Sequence, residues 1–453
     1  MKDVRGRHIV IAGAARSGVA VSVLLKKKGA KPFLSDAGEV KPEYAERLRK
    51  SAIEFEANTH SDRAMQGEFL VLSPGVPSTS GIAAAYRESG REIYSEMEVA
   101  SWFNRSPMVT VTGSNGKTTV TSWLAHTWHL AGREFLLAGN IGLAFSELVD
   151  ESEAGKDALL EVSSFQLDHI DTFHPAVSMI LNITPDHLDR YGNDFDMYAR
   201  SKFGITKNQS NDDWFIYNAD DAVLNRFAGD LSKQPGHPRI IAFSAEKELT
   251  DGAFVRNGEL ILNIHNKEET LMSIQELALP GRHNLYNGMA TALAARASEI
   301  RNEYIRESLR TFEGVAHRLE PVRTLDGVQY FNDSKATNIN SVWYALDSFH
   351  VPMTLIMGGR DKGNNYLELE KQIRDKVHTI IAIGEAKSAI KEQLGTVVPE
   401  LLEANSMKEA VKLARKKAKR GEVVLLSPAC ASFDMFENYE QRGEVFKQAV
   451  LEL

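Results

Sequence analysis

Met108-Val109-Thr110-Val111-Thr112-Gly113-Ser114-Asn115-Gly116-Lys117-Thr118-Thr119 runs from an apolar segment into a glycine loop that opens a helix. The valine-rich, β-branched run reads as a buried strand. Glycines after it let backbone N–H groups close around phosphate oxygens. Lys117 would offset charge on the β- and γ-phosphates of a nucleotide, and the Thr118 hydroxyl would reach Mg²⁺. A strict P-loop carries glycine where Val111 stands, so this is a variant of that pattern. The rival reading is a plain glycine turn with an exposed lysine. The strand context and the Gly-Lys-Thr-Thr ending favour phosphate.

Similar units lie on both sides. Upstream, His8–Ala12, 32–36 and 69–73 read as strands, with a glycine loop and a helix over 19–28 after the first. Downstream, 158–161 and 177–181 are further short strands, and 239–273 is a small β-rich region with Asn257-Gly258 as a hairpin turn. An alanine-rich helix follows Asn284, and strands at 328–331, 353–357, 379–383 and 423–426 close the series. Alternating strands and helices imply parallel sheets, with ligands beyond the carboxyl ends of the strands. The expected class is α/β in three domains. These are a Rossmann-like N-terminal domain over 1–95, a central P-loop-type ATPase domain over 96–314 and a Rossmann-like C-terminal domain over 315–453. A length of 453 residues, at roughly 150 per domain, agrees with that division.

Composition narrows the function. The 53 basic and 61 acidic side chains are well mixed and leave a net charge of −8, which disfavours a general nucleic-acid or membrane surface. Cys430 is the one cysteine, so no disulfide forms within the chain and no C-x-x-C metal or redox pattern exists. The charged start Met1-Lys2-Asp3-Val4-Arg5 and the lack of a long apolar stretch predict no signal peptide, no membrane insertion and a cytoplasmic location. Gly13-Ala14-Ala15-Arg16-Ser17-Gly18 with Asp36 beyond the next strand is a weak dinucleotide signal. A nicotinamide-dependent oxidoreductase would leave the Gly-Lys-Thr-Thr loop unused. A non-catalytic nucleotide-binding scaffold would not need the acidic and basic residues described next.

Those residues recur in motifs. Gly139-Asn140-Ile141-Gly142, Glu161-Val162-Ser163-Ser164-Phe165-Gln166-Leu167, Asn182-Ile183-Thr184-Pro185-Asp186-His187-Leu188-Asp189-Arg190 and Gly281-Arg282-His283-Asn284 follow the glycine loop in order. With Thr112–Thr119 they resemble the Mur ligases, a family shared with folylpolyglutamate synthase. The resemblance spans essentially the whole chain. Asn332-Asp333-Ser334-Lys335-Ala336-Thr337-Asn338 and Ser427-Pro428-Ala429-Cys430-Ala431-Ser432-Phe433-Asp434 resemble the branch that adds D-glutamate to UDP-N-acetylmuramoyl-L-alanine. A sibling activity of the folylpolyglutamate type is the rival within the family, and the Ser-Lys-Ala-Thr-Asn run argues against it.

The resemblance implies an ATP-dependent, amide-forming ligase of cytoplasmic peptidoglycan synthesis, acting through an acyl phosphate as a monomer. It implies ATP contacts from Gly113, Ser114, Asn115, Gly116, Lys117, Thr118, Thr119, Asn284, Asn287, Arg318 and Asp333. Mg²⁺ would be held by Thr118, Glu161, His187 and Lys202, and Lys117, Glu161, His187 and Lys202 would be catalytic. In the family the lysine matching Lys202 carries a carbamate from CO₂, which requires a neutral amine. Without the resemblance Lys202 reads as a solvated lysine near a helix end. Ala14, Ala15, Arg16, Ser73, Gly75, Asn140 and His187 would hold the UDP-substrate. Some members carry an arginine just after the second strand for the uridine, where this chain has Asp36-Ala37-Gly38. Thr337, Lys362, Ser432, Phe433 and Tyr439 would hold D-glutamate.

Overall fold

The computed structural model describes residues 2–361 and 363–453. The chain divides into two compact units, Met1–Ala278 with Leu285–Phe312, and Leu279–Asn284 with Glu313–Leu453.

The first unit holds two sheets. In the five-stranded one the order is Glu54–Glu56, Lys31–Ser35, His8–Ala12, Phe69–Leu72, Ile93–Ser95, all parallel. Its three middle strands are almost wholly buried, as strands covered on both faces must be. The two outer strands have three residues each, too few to show a pattern in sequence. The nine-stranded sheet sets Met108–Thr112 between Val177–Ile180 and Asp157–Glu161. Every residue of these three strands is buried. The glycine loop at Gly113 therefore leaves the middle of a sheet, flanked by the ends of its neighbours.

The β-rich region continues this sheet. Gly252–Arg256 pairs in parallel with Arg239–Ser244, and Glu259–Ile264 and Lys267–Ser273 follow antiparallel. Asn257 and Gly258 turn the first hairpin with φ of 52° and 80°, the double left-handed turn that Asn-Gly favours. The edge strand opens with four exposed residues, Lys267 to Thr270, two of them glutamates, which discourages pairing with another chain.

Both sheets of this unit share one apolar core, from Ile11 and Val19 through Trp102 and Phe145 to Leu160 and Tyr198. Within it Glu98, in the helix Glu96–Ser101, is fully buried. Its carboxylate accepts from the Trp102 indole (2.6 Å), the Thr172 hydroxyl (2.6 Å) and the N–H groups of Asp171, Thr172 and Phe173 (3.0, 2.9 and 2.8 Å).

The second unit is a six-stranded sheet in the order Glu320–Leu325, Val328–Asn332, Val423–Leu426, Met353–Gly358, Val377–Ile383, Glu400–Glu403. Only the first pair is antiparallel. Among the described residues no helix is long and apolar enough to cross a membrane.

Glu98→Ala leaves three backbone N–H groups and an indole N–H unpaired in a dry core. It is expected to cost about 3 kcal/mol or more, since each such orphan costs roughly 1–3 kcal/mol. Thermal unfolding should show a drop of several degrees, smaller for Glu98→Gln, which keeps one acceptor oxygen. An unchanged midpoint would refute this role.

Candidate active site

The glycine loop needs its glycines. Gly113 has φ +146°, and an added Cβ would press on Leu181 at 3.2 Å. Gly116 has φ +85° and would put a Cβ 2.6 Å from the side-chain oxygen of Asn287. The helix Lys117–Leu130 starts there, so several N–H groups face the mouth of the loop. Neighbouring segments brace it: Asn182 Oδ1 accepts from the Asn115 N–H (2.8 Å), and Ser114 Oγ bonds the Tyr198 hydroxyl (2.8 Å) and accepts from the Thr184 N–H (2.9 Å).

Two lysines meet this loop. Lys117 Nζ donates to the carbonyls of Gly113 and Ser114, both at 2.8 Å. Lys202 Nζ donates to the same Gly113 carbonyl at 3.0 Å. Lys202 is only 2% exposed and lies over the ring of Tyr198, one turn earlier on the helix Phe195–Phe203. Asp194 caps that helix by accepting from the N–H groups of Asp196 and Met197. Ser201 Oγ fastens it to the Ser164 carbonyl (2.7 Å). Burial first, and the charge of Lys117 second, hold the Lys202 amine well below the ordinary lysine value; Asp186 and Asp168 pull the other way more weakly. The solvated lysine of the bland reading is not what the fold builds.

Glu161 ends its strand 2% exposed. One oxygen accepts from the Asn140 amide at 3.0 Å, while Oε2 is buried with no hydrogen-bond partner. A buried carboxylate oxygen left without a donor is costly unless a cation or proton meets it. Thr118, 5% exposed, lies in the first turn of the helix that the glycine loop opens. Among the described residues no three His, Cys, Asp or Glu side chains cluster for a metal. One carboxylate and one hydroxyl nevertheless fit Mg²⁺, which takes phosphate oxygens and waters for most of its ligands. His187 is exposed with φ +51°, on a turn before Leu188–Tyr191, and its ring meets the edge of Phe165.

The loop expected to hold the UDP-substrate is tightly made. Gly13 has φ +99°, and a Cβ on Gly18 would lie 1.9 Å from the Gly13 carbonyl. Ser73, 3% exposed, donates to that carbonyl at 2.9 Å, so its hydroxyl is engaged in the loop itself. Asp36 accepts from the N–H groups of Ala14 (2.5 Å) and Gly38 (2.8 Å). The acid that a dinucleotide reading assigns to a ribose is thus committed to holding its own loop. Ala15 and Arg16 are exposed, and a Cβ on Gly75 would meet nothing within 4 Å. Arg190 donates to the carbonyls of Pro74 (2.9 Å) and Val76 (3.1 Å), fixing the turn that carries Gly75.

In the second unit the carboxyl ends of adjacent strands gather three loops. Asp333, 3% exposed, accepts from the Ser427 hydroxyl (2.8 Å) and the Leu319 N–H (3.2 Å). Burial pushes its carboxyl up to about 7, against the pull of Arg318. Arg318 Nε is buried and lacks a hydrogen-bond partner, which suits it to an anionic ligand. The Ala429 N–H donates to Ala336 O, and Arg360 and Ala431 exchange backbone bonds, locking the loops together. Thr337 is half-buried, Ser432 is buried, and Phe433 is 63% exposed. The Tyr439 hydroxyl accepts from Lys335 Nζ at 3.1 Å. Asn284 lies in this unit, in the first turn of the helix Arg282–Ala297, and its amide donates to Pro280 O (2.9 Å). Lys362 lies outside the described residues.

Several supporting residues escaped the sequence reading. Asn182 and Arg190 sit inside a quoted motif and Tyr198 lies outside them, and the bracing roles of all three depend on partners 67 to 116 residues away. Arg442, fully buried, donates to Ser334 Oγ, Ser334 O and Cys430 O (2.9, 2.7 and 3.0 Å). Nothing local marks it among the charged residues of the helix Tyr439–Leu451. Cys430 is itself buried against the Tyr366 hydroxyl, and burial pushes its thiol up to about 11, so it is a packed residue rather than a nucleophile.

Comparison with known proteins gives three family matches: the MurD N-terminal domain over residues 8–82, the Mur ligase middle domain over 111–295, and the Mur ligase glutamate ligase domain over 317–430. The chain is 47% identical to the UDP-N-acetylmuramoylalanine–D-glutamate ligase of Salinibacter ruber, over 99% of this chain and 98% of that one. It is 43% identical to the ligase of the same name from Christiangramia forsetii, over 99% and 100%. Among solved structures, UDP-N-acetylmuramate-alanine ligase MurC from Thermotoga maritima shares the fold, with a TM-score of 0.60, 17% identity, and 98% and 99% coverage.

Lys202→Met removes an amine that folding strips of water and biases toward its neutral form. In CO₂-free buffer at pH 7 the variant should be more stable by about 1 kcal/mol or more. With the folded-state pKa below the unfolded 10.5, the unfolded chain binds the extra proton, so the native lysine destabilises more as pH falls toward the folded value. The advantage of Lys202→Met in denaturant titrations should therefore widen from pH 9 to pH 7. A variant that melts lower at every pH contradicts this.

Proposed function

The chain belongs to the Mur ligase family, and from that premise we propose that it joins D-glutamate to UDP-N-acetylmuramoyl-L-alanine, with ATP converted to ADP and phosphate. The site of action is the cytoplasm, the enzyme is a monomer, and the product is a peptidoglycan precursor. The substrates are supported by full-length relatives that bear this name. The chemistry is supported by one observation above all: Lys117 and Lys202 share the Gly113 carbonyl at the mouth of the glycine loop.

In this reading residues 1–95 receive the UDP portion through Ala14, Ala15, Arg16, Ser73 and Gly75. Residues 96–314 receive ATP on 113–119 and Asn287, with Asn140 and His187 near the reacting end of the UDP-substrate. Residues 315–453 receive D-glutamate through Thr337, Lys362, Ser432, Phe433 and Tyr439, and Asn284, Arg318 and Asp333 complete the nucleotide contacts. An oxygen of the L-alanine carboxylate attacks the γ-phosphorus, the bond to the β-phosphate oxygen breaks, and ADP leaves an acyl phosphate. The amine of D-glutamate, having lost its proton, adds to the acyl carbon, and phosphate departs as the amide forms. Backbone N–H groups and Lys117 hold the transferring phosphoryl group, where positioning and charge supply most of the catalysis. Thr118, Glu161 and His187 would hold Mg²⁺, which would offset charge on that group. Burial favours the neutral Lys202 amine, which could attack CO₂; loss of one of its two N–H protons then leaves a carbamate anion that suits the same cation.

Purified protein should release phosphate from ATP only with both other substrates present, and with D- rather than L-glutamate. Lys117→Ala should reduce kcat by on the order of 10²–10³. Stripping CO₂ should lower activity and bicarbonate should restore it. Unchanged turnover without CO₂ removes the carbamate from the scheme, while absence of an amide product removes the scheme itself.

A further inference from the structure

Arg16 begins the helix Arg16–Lys27, where a cation opposes the helix dipole and no acid occupies the first turn. Such placement is disfavoured, so a compensating contact is expected. The guanidinium donates to the carbonyl of Gly142 at 2.5 Å, 126 residues away in sequence.

Gly142 belongs to the segment 139–146, between the strand Phe135–Gly139 and the helix Phe145–Leu148. That segment is pinned to buried carboxylates at both ends. Asn140 donates to Glu161 twice, from its backbone to the carbonyl (2.9 Å) and from its amide to Oε1 (3.0 Å). Ser146 donates its N–H to Glu96 Oε1 at 2.7 Å. Glu96 is 1% exposed, its other oxygen has no partner, and burial raises its carboxyl while the nearby Arg16 charge opposes that rise. The middle of the segment closes on itself through Gly139 N–H to Leu143 O (3.0 Å), with Gly142 at φ +62°. Arg16 is thus the link from the first glycine loop to a short, internally braced strap whose other end orients Glu161.

We propose that Arg16 is a positioning residue that couples the Gly13–Gly18 loop to the Glu161 carboxylate through segment 139–146. A nucleotide-linked substrate seated on the first loop then favours the Glu161 orientation that receives the magnesium–nucleotide, and the reverse holds equally, because coupling between two binding sites is reciprocal. This rests on the reading that the first loop holds the UDP-substrate and Glu161 the metal.

The test is calorimetric titration of the full chain with Mg²⁺ and AMPPNP, with and without saturating UDP-N-acetylmuramoyl-L-alanine, after binding of the latter alone has been measured. Wild type should bind the analogue about 5-fold or more tightly when the UDP-substrate is present, within the usual range of coupling. In Arg16→Ala that gain should shrink toward unity even at saturation, and Arg16→Lys, which keeps one donor, should recover part of it. A residue that only touched the UDP-substrate would weaken its binding and leave the gain at saturation intact. The same gain in wild type and Arg16→Ala, or none in wild type, overturns the coupling. Failure of wild type to bind the UDP-substrate at all overturns the substrate reading and the coupling with it.

Discussion

Two lysine amines on one peptide carbonyl form the constraint around which the candidate site is arranged. Gly113 O accepts from Lys117 and from Lys202, and the second of these is sealed from water. Burial, and secondarily the charge of Lys117, lower the pKa of the Lys202 amine and so favour its neutral form. A dry amine beside a glycine loop is a cost to folding. Its retention is the kind of local cost that functional sites carry.

The surrounding structure makes that cost sustainable. Tyr198 covers the Lys202 amine and bonds Ser114, so one helix supplies both the lysine and a brace for the loop it meets. Ser201 on the same helix holds the turn that follows Glu161. Glu161 is in turn left with one oxygen unpartnered, so a hydrogen-bond deficit and a desolvated amine coexist around one loop.

In the second unit the same logic is expressed with opposite charge. Asp333 is buried at the end of a strand, its carboxyl raised by burial to about 7, while the Arg318 Nε beside it has no acceptor. Fully buried Arg442 holds two of the three converging loops by their carbonyls, so their geometry does not depend on solvent-exposed contacts. Exposed Phe433 and half-buried Thr337 lie on those loops, above this buried anchor.

Local sequence determined a good deal. β-branched runs ending in glycine marked the strand–loop–helix units, Asn257-Gly258 marked its hairpin, and ordered motifs marked the family, because turn conformation and strand burial depend on a few adjacent residues. Short outer strands such as Glu54–Glu56 were invisible, since three residues carry no period. What only the tertiary structure decided was protonation and coupling. Lys202 reads as a surface lysine until a loop 89 residues away covers it, and Arg16 reads as a misplaced cation until Gly142 arrives. Desolvation and long-range hydrogen bonds are sums over neighbours that the chain brings together only by folding, so no window of sequence contains them.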